Sequence, residues 1–175
     1  MASVERAPEA ANETREHRDS ELGSPEAAAP APSGVPELEL ESTLNISTID
    51  FGQEILSNDA EARDGFSETS FHSTLHEDSY WDFNAYWRLD LALFALAEHT
   101  SITTHPNQYQ SVFRIYHHIM LNIACSRDPD DGYTITNLDV ESLGAVRERL
   151  SGVTGALFRG EVPRNHDYRL QNPYL

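Results

Sequence analysis

The hydrophobic pattern predicts a first long helix that starts near Ser79. Ser79 and Asp82 stand three residues apart, which is the spacing of a capping box at a helix N-terminus. The apolar residues that follow cover nearly the whole helix circumference, which is typical of a central and buried helix. They are Phe83, Tyr86, Trp87, Leu89, Leu91, Leu93, Phe94 and Leu96.

Two further helices are predicted downstream. Pro106 suits the first turn of a second helix, which should end before Pro129. Asp139 is a good N-cap for a third helix, and Gly160 is a suitable C-terminal cap. The third helix has the cleanest amphipathic stripe of the chain, with Leu143, Val146, Leu150, Val153 and Leu157.

Three glycines lie inside the third predicted helix. Gly144, Gly152 and Gly155 each weaken a helix by roughly 1 kcal/mol relative to Ala. We expect packing, such as a close helix contact, to compensate for this loss.

The remaining segments have weaker patterns. Residues 44–56 contain β-branched residues in partial alternation and predict one short strand or an extended arm. Residues 58–70 resemble a loop with an Asp64-Gly65 turn, and residues 133–136 are typical of a short strand or extended chain. The predicted fold is therefore mainly α, a compact three-helix domain with one or two short strands or extended arms.

Composition divides the chain into three parts. Residues 1–43 contain no aromatic residue and are rich in Glu, Ala, Pro and Ser, so they predict a disordered acidic tail. Residues 44–163 predict a single, mainly helical globular domain. Residues 164–175 are polar with scattered aromatic residues, and we expect this C-terminal extension to trail over the surface.

The net charge indicates the kind of partner. The chain has 175 residues with 29 acidic and 12 basic side chains, a formal charge of −17. Residues 1–43 hold 10 acids and 3 arginines (−7), which leaves −10 on the rest of the chain. Such an excess disfavours nucleic acid and anionic membranes as ligands and favours a basic protein.

Cysteine content and the N-terminus bear on location. The single Cys125 cannot form an intrachain disulfide, and its apolar surroundings predict a small buried thiol with a raised pKa and little reactivity. The first residues lack the apolar stretch of a signal peptide. We therefore expect a cytoplasmic protein.

Few residues favour catalysis or metal binding. His72 and His76 have the spacing of two zinc ligands on one helical face, but the Glu of a metalloprotease motif is missing, and a polar loop is the simpler interpretation. The acidic turn 128–132 does not have the register of a calcium loop. The chain also lacks nucleophile-elbow and phosphate-binding motifs, so we predict no catalytic residue and no cofactor.

Aromatic residues are densest at the start of the first predicted helix, next to acidic residues. Most of them should belong to the core, but aromatic side chains inside an acidic rim would also suit a basic partner. The candidate partner-binding residues are Glu77, Asp78, Trp81, Asp82, Asp128, Asp130, Asp131 and Tyr133.

Several motifs over residues 70–163 resemble those of small immunity proteins of bacterial polymorphic-toxin and contact-dependent growth inhibition systems. These motifs are Phe71-His72 to Trp81-Asp82, Tyr86-Trp87, Phe113-Arg114-Ile115 to Ile119-Met120, Asn137-Leu138, Arg147-Glu148-Arg149 and Phe158-Arg159-Gly160-Glu161. The resemblance implies a cytoplasmic protein that binds one cognate toxin domain and blocks its active site. The acidic tail departs from that compact pattern.

The leading hypothesis is a non-enzymatic, monomeric antitoxin for a basic toxin, such as a nuclease. One alternative is a small acidic secretion chaperone or adaptor, which would form a homodimer. The other is a metal-dependent enzyme that uses His72, His76 and nearby carboxylates.

Overall fold

The computed structural model describes residues 50–99 and 102–175, which belong to one compact unit. The predicted tail 1–43 and the first part of the predicted arm, residues 44–49, lie outside the described residues.

The described part is mainly helical, as predicted. It contains five α-helices: α1 (Phe51–Asn58), α2 (Phe71–Asp78), α3 (Phe83–His99), α4 (Pro106–Arg127) and α5 (Val140–Arg159), with a 3-10 turn at Asn165–Asp167. The prediction of three helices is wrong, because two further helices, α1 and α2, precede the others. Each has only eight residues, which is too few for a helical period to stand out in the sequence. The described residues contain no strand. Residues 51–56 are helical, which contradicts the predicted strand or extended arm, whereas residues 133–135 have no regular secondary structure, as the extended-chain alternative predicts.

The predicted start of the first long helix needs correction. Ser79 has a positive φ of 53° and ends α2, so it cannot cap the following helix. Helix α3 begins four residues later, at Phe83, and Asp82 accepts hydrogen bonds from the backbone N–H groups of Asn84 and Ala85 at 2.9 and 3.1 Å. The spacing of Ser79 and Asp82 resembles a capping box, but Ser79 ends α2, a helix that the sequence pattern does not predict.

Helices α4 and α5 agree with their predicted ends. Pro106 is the first residue of α4, which ends at Arg127, before Pro129. Asp139 caps α5 by accepting a hydrogen bond from the N–H of Ser142 at 2.7 Å. Gly160 ends α5 with a φ of 72°.

Helix α3 is central, as its apolar circumference predicts. It packs against α1 and α5, and α4 packs against α1, α2 and α5. The largest fully buried apolar side chains are Trp81, Tyr86, Phe71, Ile55, Leu75, Leu89, Ile119, Ile123, Leu150, Leu157 and Val112.

An ion pair lies inside this core. Arg149 of α5 is 0% exposed and donates to Asp90 of α3 through Nε and Nη2 at 2.9 and 2.6 Å. The rings of Trp87, Phe94 and Tyr168 lie within 5.2–5.4 Å of its guanidinium carbon. Burial raises the pKa of Asp90 even though Arg149 and Asn172 oppose the rise.

The C-terminal extension does not trail over the surface. Asn172 is 1% exposed, and its Nδ2 donates to the backbone oxygen of Trp87 at 3.1 Å and to Asp90 Oδ2 at 2.9 Å. Arg149 Nη1 donates to the backbone oxygen of Leu170 at 2.9 Å. The last residues are held because they supply hydrogen bonds that the buried ion pair needs.

Candidate functional site

The two predicted acidic segments lie next to each other in the fold. One is the end of α2 with the linker to α3, and the other is the loop after α4. We call their carboxylates, namely Glu77, Asp78, Asp82, Asp128, Asp130 and Asp131, the acidic surface. All six are exposed except the half-buried Asp82.

Hydrogen bonds connect the two segments. The backbone N–H and Oγ1 of Thr136 donate to the backbone oxygen of Ser79 at 2.9 and 3.2 Å. The Asn137 side chain accepts from the N–H of Trp81 at 2.8 Å and donates to its oxygen at 3.0 Å, and the Tyr133 hydroxyl donates to the backbone oxygen of Leu75. The acidic surface is therefore a single area built from segments about 50 residues apart in the chain.

Local hydrogen bonds hold the carboxylates of the acidic loop in place. Asp128 and Asp131 accept from the backbone N–H groups of Asp130 and Tyr133 at 3.0 and 2.9 Å. The bond from Tyr133, and then one from the thiol of Cys125, lower the pKa of Asp131. Cys125 is only half-buried, so the prediction of a buried thiol is wrong; its pKa is raised, as predicted, chiefly by the hydrogen bond to Asp131.

Trp81 is not available to a partner in this structure. It is 0% exposed and packs edge-on against Phe71, with 4.8 Å between ring centroids. The reason is that its ring fills the space between α2 and the start of α3, as expected of a core aromatic residue. Its neighbour Tyr80 is exposed instead, and Tyr133 is half-buried. The sequence predicts an aromatic residue at this surface but does not show that Tyr80, and not Trp81, faces solvent.

A groove opens beside the acidic surface, between α2, α4 and the loop after α1. Its volume is about 760 Å³. The charged and polar residues that line it are Glu68, His72, Ser73, His76, Glu77, Asp78, His118 and Asn122. Glu77 and Asp78 thus belong both to the acidic surface and to the edge of the groove.

An ion pair fixes the loop that forms one wall of the groove. Arg114 of α4 donates from Nε to Asp59 Oδ1 at 2.9 Å, and Asp59 directly follows the end of α1. Burial tends to raise the pKa of Asp59, but hydrogen bonds from Arg114 and Ser111 hold it below its ordinary value. Phe66, which lines the groove, lies on this loop.

His72 belongs to α2 rather than to a polar loop, as does His76. The His72 side chain is buried. Its backbone N–H donates to Asn58 Oδ1 at 3.0 Å, and its Nδ1 lies 2.9 Å from the backbone oxygen of Asn58. A carbonyl oxygen can only accept, so Nδ1 carries the proton and Nε2 is an acceptor. Burial, with smaller contributions from His118 and His76, lowers the pKa of His72 and favours the neutral ring.

Three imidazole rings lie along the groove. The ring centroid of His72 is 5.0 Å from that of His118 and 6.5 Å from that of His76. In residues 50–99 and 102–175, however, no group of three or more His, Cys, Asp or Glu side chains is arranged to hold a metal ion.

Helix α4 presents an apolar stripe to solvent next to the groove. Phe113 and Leu121 are 58% and 52% exposed, and His117 lies between them at four-residue spacing. The rings of Phe113 and His117 are stacked with centroids 6.4 Å apart. Phe113 and Leu121 lie on the opposite face of α4 from Ile115 and Ile119, which are buried.

Comparison with protein-family models, curated proteins and solved structures finds no match for this chain. None of the helices in the described ranges is both long enough and apolar enough to cross a membrane.

Proposed function

We propose that this chain is a cytoplasmic immunity protein that binds and neutralises a basic bacterial toxin domain, with a nuclease as the best-matched class. The observation that carries the proposal is the acidic surface, which the fold assembles from two distant segments. Binding, and not catalysis, would be its function.

The charges of the acidic surface are not compensated within the described part of the chain. The ion pairs there involve other carboxylates, such as Asp59 with Arg114 and Asp90 with Arg149. Uncompensated surface charges of one sign attract a partner of the opposite sign and speed its capture. A nuclease domain offers a basic face because it binds phosphate groups.

Exposed aromatic and apolar residues next to this charge support a protein partner. Tyr80 adjoins the acidic residues, and Leu121 lines the same groove as Glu77 and Asp78. Interfaces obtain most of their affinity from a few such side chains inside a polar rim. The arrangement suits fast capture by charge and slow release by apolar contact.

Co-expression tests the proposal directly. The chain should be expressed in bacterial cells together with each protein encoded beside its gene. We expect one neighbour to arrest growth alone, and this chain to restore growth and form a stoichiometric complex. If no neighbour is toxic, rescued and bound, the proposal is wrong; a homodimer that binds only an unfolded segment would instead support the chaperone alternative.

Matched variants locate the interface. Glu77→Lys with Asp78→Lys, and Asp130→Lys with Asp131→Lys, should each slow association about tenfold or more. Glu98→Lys with Glu148→Lys changes the net charge equally but lies outside the acidic surface, so it should have a much smaller effect. Equal effects of the three variants would show that net charge, rather than this surface, attracts the partner.

A further inference from the structure

A buried amide group of the groove has no hydrogen-bond partner. Asn122 of α4 is 7% exposed and lines the groove, and its Nδ2 makes no hydrogen bond in the structure. A buried donor without a partner is uncommon in native proteins. A ligand in the groove that carries a carbonyl oxygen would satisfy it.

His72 supplies the complementary group. Its Nδ1 is committed to the backbone oxygen of Asn58, which leaves Nε2 as an acceptor on a ring that lines the same groove. Asn122 and His72 therefore offer a ligand in the groove a donor and an acceptor on uncharged side chains. A ligand must present an oxygen to Asn122 and an N–H to His72.

The edge of the groove selects for positive charge. Glu68, Glu77 and Asp78 are exposed carboxylates that line it, whereas no arginine does. An anionic ligand such as a phosphate would be repelled by these groups. A divalent cation is also disfavoured, because the side chains around the groove are not arranged as a set of three metal ligands within the described ranges.

The apolar walls favour arginine over lysine. Phe66 and Leu121 line the groove and are exposed, so they can cover the aliphatic part of a long side chain. The rings of Phe66 and His118 also line the groove, and a planar guanidinium stacks on rings of this kind. The fork of guanidinium N–H groups can also donate to a carboxylate and an imidazole together, which an ammonium group does less well.

We infer that this groove receives an arginine residue from the partner protein. The guanidinium donates to His72 Nε2 and to the carboxylates of Glu77 and Asp78, and the peptide carbonyl of the same segment accepts from Asn122 Nδ2. This assignment rests on the proposed function for the identity of the partner, but the chemistry of the groove can be tested on this chain alone.

The first test is an NMR titration of the ¹⁵N-labelled full chain with Nα-acetyl-arginine methylamide. We expect saturable shifts of the Asn122 side-chain amide signals at millimolar concentrations. The citrulline analogue, which has the same shape without the charge, should bind at least about tenfold more weakly, and the lysine analogue should be intermediate. Absence of saturable shifts, or equal binding of the citrulline analogue, would overturn the inference.

Variants connect the titration to the groove. Asn122→Ala and the pair Glu77→Gln with Asp78→Asn should each weaken binding of the arginine probe several-fold or more. Because Asn122→Ala lacks the side-chain amide, its binding is followed by the backbone amide signals of the residues that line the groove. Glu98→Gln with Glu148→Gln removes the same charge elsewhere and should bind as the original chain does. Because Glu77 and Asp78 are exposed, their variant keeps the test valid even if Asn122→Ala does not fold.

The second test uses the complex with the neighbouring gene product and separates the two proposals. If the complex forms and the groove variants bind the partner as tightly as the original chain, the groove inference fails while the proposed function stands. If the arginine probe binds but no neighbour forms a complex, the proposed function fails while the groove remains an arginine site. We expect the complex to form and the groove variants to weaken it about tenfold.

Discussion

Single residues of this chain show how much a polar group depends on its surroundings. Asp90 interrupts the most apolar stretch of the sequence, where it is surrounded by core residues. It is tolerated because Arg149 and Asn172 bind both of its oxygens. A buried ion pair of this kind costs desolvation energy, but losing one partner costs more because the other charge is then left buried alone.

Replacing Asp90 with Asn should therefore lower the free energy of unfolding by about 3–5 kcal/mol, because Arg149 would keep its charge without a carboxylate partner. The double replacement Asp90→Leu with Arg149→Met should cost less than the sum of the two single changes. Urea denaturation of the original chain, Asp90→Leu, Arg149→Met and the double variant measures this coupling.

The exposed pair of Arg169 and Glu141 provides the control. Both side chains are more than half exposed, so Arg169→Met should change the stability by no more than about 0.5–1 kcal/mol. A similar loss of stability for Arg169→Met and Asp90→Asn would show that burial does not determine the cost of breaking an ion pair.

The elements differ in how clearly the sequence announces them. Helices α4 and α5 were predicted with their caps, because Pro106, Asp139 and Gly160 act locally. Helices α1 and α2 were missed because two turns show little period, and the misassigned role of Ser79 follows from missing α2. The effect of each glycine in α5 could not be predicted from the sequence, because it depends on which atoms lie next to that glycine in the fold.

Gly152 and Gly144 of α5 should respond in opposite directions to replacement by Ala. A Cβ at Gly152 would lie 2.3 Å from Tyr168 Cε1, so the Tyr168 ring would have to leave its place beside Arg149. We expect Gly152→Ala to lower the stability by about 1–3 kcal/mol. At Gly144 nothing lies within 4 Å, and Ala should raise the stability by about 0.5–1 kcal/mol.

Thermal and urea unfolding of the two variants check this prediction. Stabilisation by Gly152→Ala would mean that the C-terminal extension does not hold Tyr168 against α5. Destabilisation by Gly144→Ala would show that the space next to this glycine is needed.

At the scale of the whole molecule, the buried carboxylates differ from those of the acidic surface in their partners. The carboxylates of Asp59 and Asp90 are buried and paired with arginines. Those of the acidic surface are exposed, except the half-buried Asp82, and form no ion pair within the described part of the chain. Six of the 19 acidic residues that follow residue 43 thus lie in one area where a partner could use them.

The association rate with the partner should therefore depend strongly on salt. Because screening shortens the range of exposed charges, we expect the rate constant to fall at least about tenfold between roughly 0.05 and 0.5 M salt, with a much smaller change in the dissociation rate. Stopped-flow or surface-binding kinetics measure both rates. A salt-independent association rate would mean that the acidic surface does not steer the encounter.

Local chemistry was enough to predict the helical class, the ends of α4 and α5, the central position of α3 and the negative charge of the candidate site. These properties depend on side-chain spacing, on caps within one turn and on charge counts, all of which act over a few residues. Tertiary structure alone decided that Trp81 is buried, that Asn172 binds Asp90, that residues 77–82 meet residues 128–131, and that His72 and Asn122 share a groove. Those pairings join segments about 40 to 80 residues apart, and only packing of the whole core fixes which distant groups meet.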